Sequence, residues 1–145
     1  RKPAVVSALI RAHSKASYES RDWKNLERLF RKDLADRRFH PVQKAIMELV
    51  TQHKEYAAMK LLLESIDPPE PAWVDDPNNP PASYWEARWK NWEVWRADVK
   101  EALYQITEQR FGNAKEAKAW LSKNRKELAK KYKKKKKGKK KGRRR

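Results

Sequence analysis

Four tryptophans, Trp85, Trp89, Trp92 and Trp95, recur every three or four residues, interleaved with Arg88, Lys90 and Arg96. On a helix that spacing sets rings along one side. Large apolar rings beside guanidinium groups suit two tasks. They can pack the helix onto a core, or they can hold an aromatic groove open for a peptide, a glycan or an unstacked base. The spacing alone allows both. The candidate partner-binding residues are Trp73, Trp85, Trp89, Trp95, Arg88 and Arg96. Trp73 and Trp95 are expected to be the most exposed, because Trp95 lies slightly off the line of the other three.

A second constellation is purely cationic. Lys133, Lys134, Lys135, Lys136, Lys137, Lys139, Lys140, Lys141, Arg143, Arg144 and Arg145 close the chain. Such a run attracts DNA, RNA or an anionic membrane surface by releasing condensed counterions. No aromatic residue after Tyr132 interleaves with it, so base stacking and sequence readout are not expected. In a eukaryote the run would also read as nuclear targeting. The net charge of +18 is concentrated here: residues 123–145 carry sixteen basic side chains against one acid, leaving +3 for the first 122 residues. The charge is thus no sign that the rest of the chain binds nucleic acid.

Other catalytic chemistries find little support. His13, His40 and His53 have no metal-ligand spacing to one another or to a carboxylate pair, and cysteine is absent. His13 and His53 fall at helix C-termini, where an imidazolium suits the helix dipole. Asp75 and Asp76 sit among prolines and asparagines, a composition that favours a turn over a Ca²⁺ loop. There is no glycine-rich phosphate loop and no nucleophile–base signature. No catalytic residue, cofactor or metal is therefore expected. No apolar run approaches the roughly 20 residues of a membrane span.

The elements that must position these residues are helices. Apolar residues recur at three and four, alternation is missing, and only three glycines occur. The pattern predicts helices over about Pro3–Ser17, Asp22–Arg37, Pro41–Val50 and Lys54–Ile66, the last being the most apolar and so the expected centre. Residues 67–82 hold six prolines and form a surface loop or insertion. Ser83 and Glu86 make a capping-box pattern for a long tryptophan-rich helix to about Thr107. Gly112 closes that unit, and a last helix opens at Asn113. From Lys130 the low-complexity, self-repelling chain is expected to be disordered.

Three helix starts share a Val-x-x-Ala core: Val5 to Ala8, Val42 to Ala45, and Val99 to Ala102. The intervals of 37 and 57 residues fit a helix-pair repeat of roughly 40 residues, the second lengthened by the Pro/Trp insertion. These starts resemble the second helices of HEAT-type or armadillo-like repeats. The segment from Leu103 through Thr107-Glu108-Gln109-Arg110-Phe111-Gly112 to Ala119-Trp120 is similar to the closing segment of bacterial, planctomycete-like HEAT proteins. There the pattern reads Thr-Gly-Gln-x-Phe-Gly, so Glu108 stands where glycine is usual, and the second tryptophan usual near Lys123 is missing.

The resemblance implies an all-α fold, a short α-solenoid of stacked helical hairpins. It would comprise a HEAT-like domain over residues 1–129, with a capping C-terminal helix, and a disordered basic tail over 130–145. It implies a non-catalytic scaffold that binds a protein partner, located in a bacterial cytoplasm or exported. The alternative is a nucleic-acid-binding protein whose tail supplies sequence-independent affinity. Because the sequence opens on a second-helix pattern, further repeats upstream are expected.

Overall fold

The computed structural model describes residues 2–71 and 76–143, with side chains as far as Tyr132. Trp73, Asp75, Arg144 and Arg145 lie outside the described residues. The described residues hold six α-helices and no strand: α1 Pro3–Ala16, α2 Trp23–Lys32, α3 His40–His53, α4 Met59–Ser65, α5 Ala82–Thr107 and α6 Ala114–Arg143. Short 3₁₀ turns at Ser20–Asp22, Arg37–Phe39 and Tyr56–Ala58 lead into α2, α3 and α4. Contacts divide the chain into two compact units, Arg1–Arg110 and Phe111–Arg145.

In the first unit α3 is the hub. Seven of its residues are buried, among them Val42, Ala45, Ile46, Leu49 and Val50. Helix α1 packs on one side of α3 and α5 on the other, while α2 packs on α3 and α4 on α5. Polar links fix the order. Arg11 of α1 pairs with Glu48 at 2.8 Å, and Ser14 Oγ donates to Gln52 Oε1 at 3.0 Å. On the other side Lys44 pairs with Asp98 of α5 at 2.8 Å. The expected centre, α4, spans only seven residues, because its approach is spent on a 3₁₀ turn whose Ala57 N–H donates to the Glu55 carboxylate.

Helix ends depart from the sequence expectations for local reasons. Helix α2 stops at Lys32 rather than Arg37, because Asp33 leaves helical geometry and its carbonyl accepts from Gln43 Nε2. Helix α5 starts at Ala82, directly after Pro81, with no side-chain cap. Ser83 thus lies inside the first turn and does not cap it. Two C-termini close through a left-handed residue that is not glycine, Lys54 (φ 47°) after α3 and Glu108 (φ 61°) after α5. At Lys54 the next amide, Glu55 N, reaches back to Val50 O, and at Glu108 the N–H donates to Tyr104 O. Both bonds satisfy end carbonyls in the usual manner of a left-handed cap.

The second unit is α6 and the turn before it. Asn113 Oδ1 accepts from Glu116 N at 2.9 Å, and the Glu116 carboxylate accepts from Gly112 N at 2.8 Å. Phe111 packs against Trp120 with ring centroids 5.8 Å apart. Ala117, Leu121 and Leu128 form the buried side. The backbone remains helical to Arg143, where disorder from Lys130 is expected from composition. Lysine is a good helix former, and extending an existing helix needs no new nucleus. Cations in the last turns also complement the helix dipole, against the cost of like-charge neighbours.

Candidate binding surface on the tryptophan helix

The tryptophans of α5 separate into two roles along the helix. Trp92 and Trp95 are buried in the first unit. Trp95 is therefore core, contrary to the expectation that it is among the most exposed. Its ring meets Phe30 at 5.1 Å, and its Nε1 donates to Gln43 Oε1 at 3.0 Å. The stripe Trp92, Trp95, Val99, Ala102, Leu103, Ile106 runs unbroken at three- and four-residue steps, so Trp95 belongs to the packed face. Trp92 Nε1 donates to Ser65 O at 2.9 Å, tying α5 to the end of α4.

Asn91, which sequence reasoning passed over, completes the latch. Its buried amide donates to both Leu34 O and Asp36 O at 3.0 Å. A polar residue inside a tryptophan stripe was the available signal. Asn91 and Trp92 hold the chain at Leu34, Asp36 and Ser65 by side chain-to-backbone bonds, which a buried carbonyl requires.

Trp89 is the exposed member, with 40 % of its surface free. Its ring lies 5.4 Å from that of Trp92. One turn away, Trp85 is half-buried and its Nε1 is shielded from solvent without a hydrogen-bond partner. Arg88 stacks on both Tyr84 and Trp85, at 6.0 and 5.5 Å from the ring centroids, and Arg96 on Trp92 at 5.2 Å. Neither arginine forms an ion pair with a carboxylate among the described residues. A cleft beside this surface is lined by Leu34, Glu64, Asp67, Pro69, Arg88 and Trp92, among others. The structure thus brings Trp85, Arg88, Trp89 and Arg96 onto one stretch of α5, removes Trp95 to the core, and does not describe Trp73.

A second polar cluster joins the end of α1 to the turns before α2 and α4. Ser17 Oγ lies 2.8 Å from His13 Nδ1, and His13 Nε2 lies 3.1 Å from Asp22 Oδ2. Close by, Tyr18 O–H donates to Glu55 Oε1 and Ser20 O–H to Glu55 Oε2. Asp22 also accepts from Glu19 N, and this bond, with His13, holds its carboxyl below the usual range. Burial and the Glu55 carboxylate push the Tyr18 phenol well above its ordinary value. The serine–histidine–aspartate order matches a nucleophilic relay in sequence of contacts. Asp22 also closes the capping box of the 3₁₀ turn through Glu19, so the same carboxylate joins the histidine to the chain reversal.

Among the described residues no group of three or more His, Cys, Asp or Glu is placed to hold a metal ion, and no helix is long and apolar enough to cross a membrane. Asp76 instead closes a turn, accepting from Asn78 N at 2.9 Å. The comparisons with known proteins are empty: no family model matches the chain, and neither a curated protein nor a solved structure is similar to it.

Proposed function

We propose that the chain is a non-catalytic, HEAT-like interaction scaffold, and that it grips a protein partner through the tryptophan helix. One observation carries this reading. Trp89 is exposed beside Arg88 and Arg96, two guanidinium groups stacked on rings and without a carboxylate ion pair among the described residues. Rigid aromatic rings and arginines are the residues most enriched at binding hot spots. The row of α1, α3 and α5, with α2 and α4 packed on α3 and α5, supports helical hairpins stacked as repeats. The partner surface that complements it is an acidic segment with an apolar or aromatic anchor.

A photo-crosslinking benzoylphenylalanine in place of Trp89 tests this in the full chain, expressed in its own cell. One protein species should be joined from position 89 and not from an exposed position elsewhere, such as Lys24 on α2. Identical products from both positions would end the proposal. The non-catalytic part is tested separately with an activated ester such as p-nitrophenyl acetate. Hydrolysis above buffer that disappears in Ser17→Ala would establish an enzyme instead.

A second reading rests on the lysine- and arginine-rich end. Sixteen cations against one acid in residues 123–145 favour sequence-independent attraction to DNA or RNA. The two readings differ in where binding energy resides. A nucleic-acid role needs the end of the chain, whereas the scaffold role needs Trp89.

A further inference from the structure

Helix α6 changes character along its length. As far as Leu128 it is two-sided: Ala117, Leu121 and Leu128 are buried, while Lys115, Lys118, Lys123, Arg125 and Lys126 are exposed. The apolar side does not continue. Positions 135 and 139 fall in line with Leu128, at i+7 and i+11, and both are lysine. No acid follows Glu127, and the backbone stays helical to Arg143. A helix turns by about 100° per residue, so the consecutive lysines 133–137 go once round its axis. This part of α6 is a cationic rod with no apolar side.

A rod charged all round selects among polyanions. An anionic membrane meets one side only, and helices that lie on membranes carry an apolar side to bury there. Single strands are held by aromatic rings stacked on bases, and no aromatic residue follows Tyr132. The major groove of duplex DNA, flanked by a phosphate backbone on each side, is about 12 Å wide. It admits a helix about 10–12 Å across, which then meets phosphates on both flanks. The major groove of an RNA duplex is too deep and narrow for that entry. Charge densities also agree. Residues 130–143 place eleven lysines and arginines on about 21 Å of helix. That is about one positive charge per 2 Å, against about one negative charge per 1.7 Å of duplex axis.

We infer that the lysine-rich part of α6 binds duplex DNA as a helix lying in the major groove. The inference rests on the nucleic-acid reading above and adds to it the form of the ligand and the conformation of the bound chain. Gly138 and Gly142 stand inside this part of the helix. They allow its conformation to be changed with every charge kept.

The test holds charge constant on both partners. The full chain is titrated by anisotropy against a labelled duplex of about two turns (~20 base pairs) at about 100 mM salt. A second duplex of the same sequence carries glucosylated hydroxymethylcytosine in place of cytosine, so its phosphates are unchanged and its major groove is filled. Binding to it should be at least tenfold weaker. Gly138→Pro breaks the helix and removes no charge; it should weaken binding to the plain duplex about tenfold, with tryptophan fluorescence as in the parent. Gly138→Ala, which favours the helix, should bind at least as tightly as the parent. An RNA duplex of equal length should bind at least fivefold more weakly than the DNA. Equal binding by the plain and filled duplexes, or by Gly138→Pro and the parent, overturns the inference and leaves the nucleic-acid reading in place. Absence of binding between the parent and the plain duplex overturns both.

Discussion

Glu108 and Lys54 hold the left-handed backbone that glycine adopts without penalty. Each ends a helix and carries its β-carbon at a steric cost of about 1 kcal/mol. Glycine relieves that strain, although the more flexible unfolded chain takes back part of the gain. Glu108→Gly should therefore stabilise the fold by about 0.5 kcal/mol, and Lys54→Gly by a similar amount. Urea denaturation followed by tryptophan fluorescence would detect it as a higher midpoint at constant slope; a lower midpoint for both would contradict the cap assignment. Titration gives a second residue-scale prediction. The Tyr18 phenol is raised by burial and by Glu55, so the folded state retains a proton that the unfolded state releases above about pH 10. Stability contributed by Tyr18 is fully present below that pH and is lost as pH rises beyond it. Asp22 works in the opposite sense: its lowered carboxyl contributes stability above the ordinary carboxylate range, lost as pH falls through the folded value. Tyr18→Phe should flatten the alkaline fall in melting temperature and leave the acid limb in place, while Asp22→Asn should flatten the acid limb.

At the scale of elements, α5 combines support and recognition in one helix. Trp95 fills the core against Phe30 and Gln43, whereas Trp89 stands on the surface. Trp95→Ala should cost about 3–5 kcal/mol, the usual range for emptying a buried aromatic site, and Trp89→Ala less than about 1 kcal/mol. Chemical denaturation distinguishes them, and comparable losses would place Trp89 in the core as well. The helices themselves were legible from three- and four-residue spacing, and α1, α3 and α5 carry the repeated Val-x-x-Ala core. What the spacing could not give was the division among the tryptophans, because periodicity identifies a face but not how far along the helix that face remains covered. Trp89 is exposed although Trp85, a turn nearer the N-terminus, is half-buried with its Nε1 shielded, and Trp92, a turn the other way, is buried and bonded to Ser65 O. Helix ends were misplaced wherever a distant partner set them. Asp33 leaves α2 to bond Gln43 ten residues later, and Asn91 holds Leu34 and Asp36 from more than fifty residues away. Neither partner is visible in a local window. The Ser17–His13–Asp22 contact was hidden for the same reason, since it forms across a turn.

At the scale of the whole molecule the charge is segregated, and that separates the two functional readings. Residues 133–145 hold eleven lysines and arginines and no acid, so of the net +18 only +7 belongs to residues 1–132. Binding to duplex DNA by counterion release depends on the number of phosphates neutralised, with a slope of log K against log salt of about −0.9 for each. If roughly half of the eleven cations engage, affinity falls by roughly 10²–10³-fold between about 50 and 200 mM salt. Removal of residues 133–145 should then reduce the slope to that of one or two contacts and abolish most of the affinity at low salt. Trp89→Ala should leave both slope and affinity unchanged. Anisotropy of a labelled duplex, measured across salt for the intact and shortened chains, gives both quantities. An unchanged slope after truncation would move the polyanion contact into the first 132 residues, which carry the remaining +7. A steep slope carried by the last thirteen residues, together with a partner crosslinked at position 89, would assign the lysine run and the tryptophan helix different ligands. Attraction to polyanions would then be a property of the lysine run, and selectivity a property of the tryptophan helix.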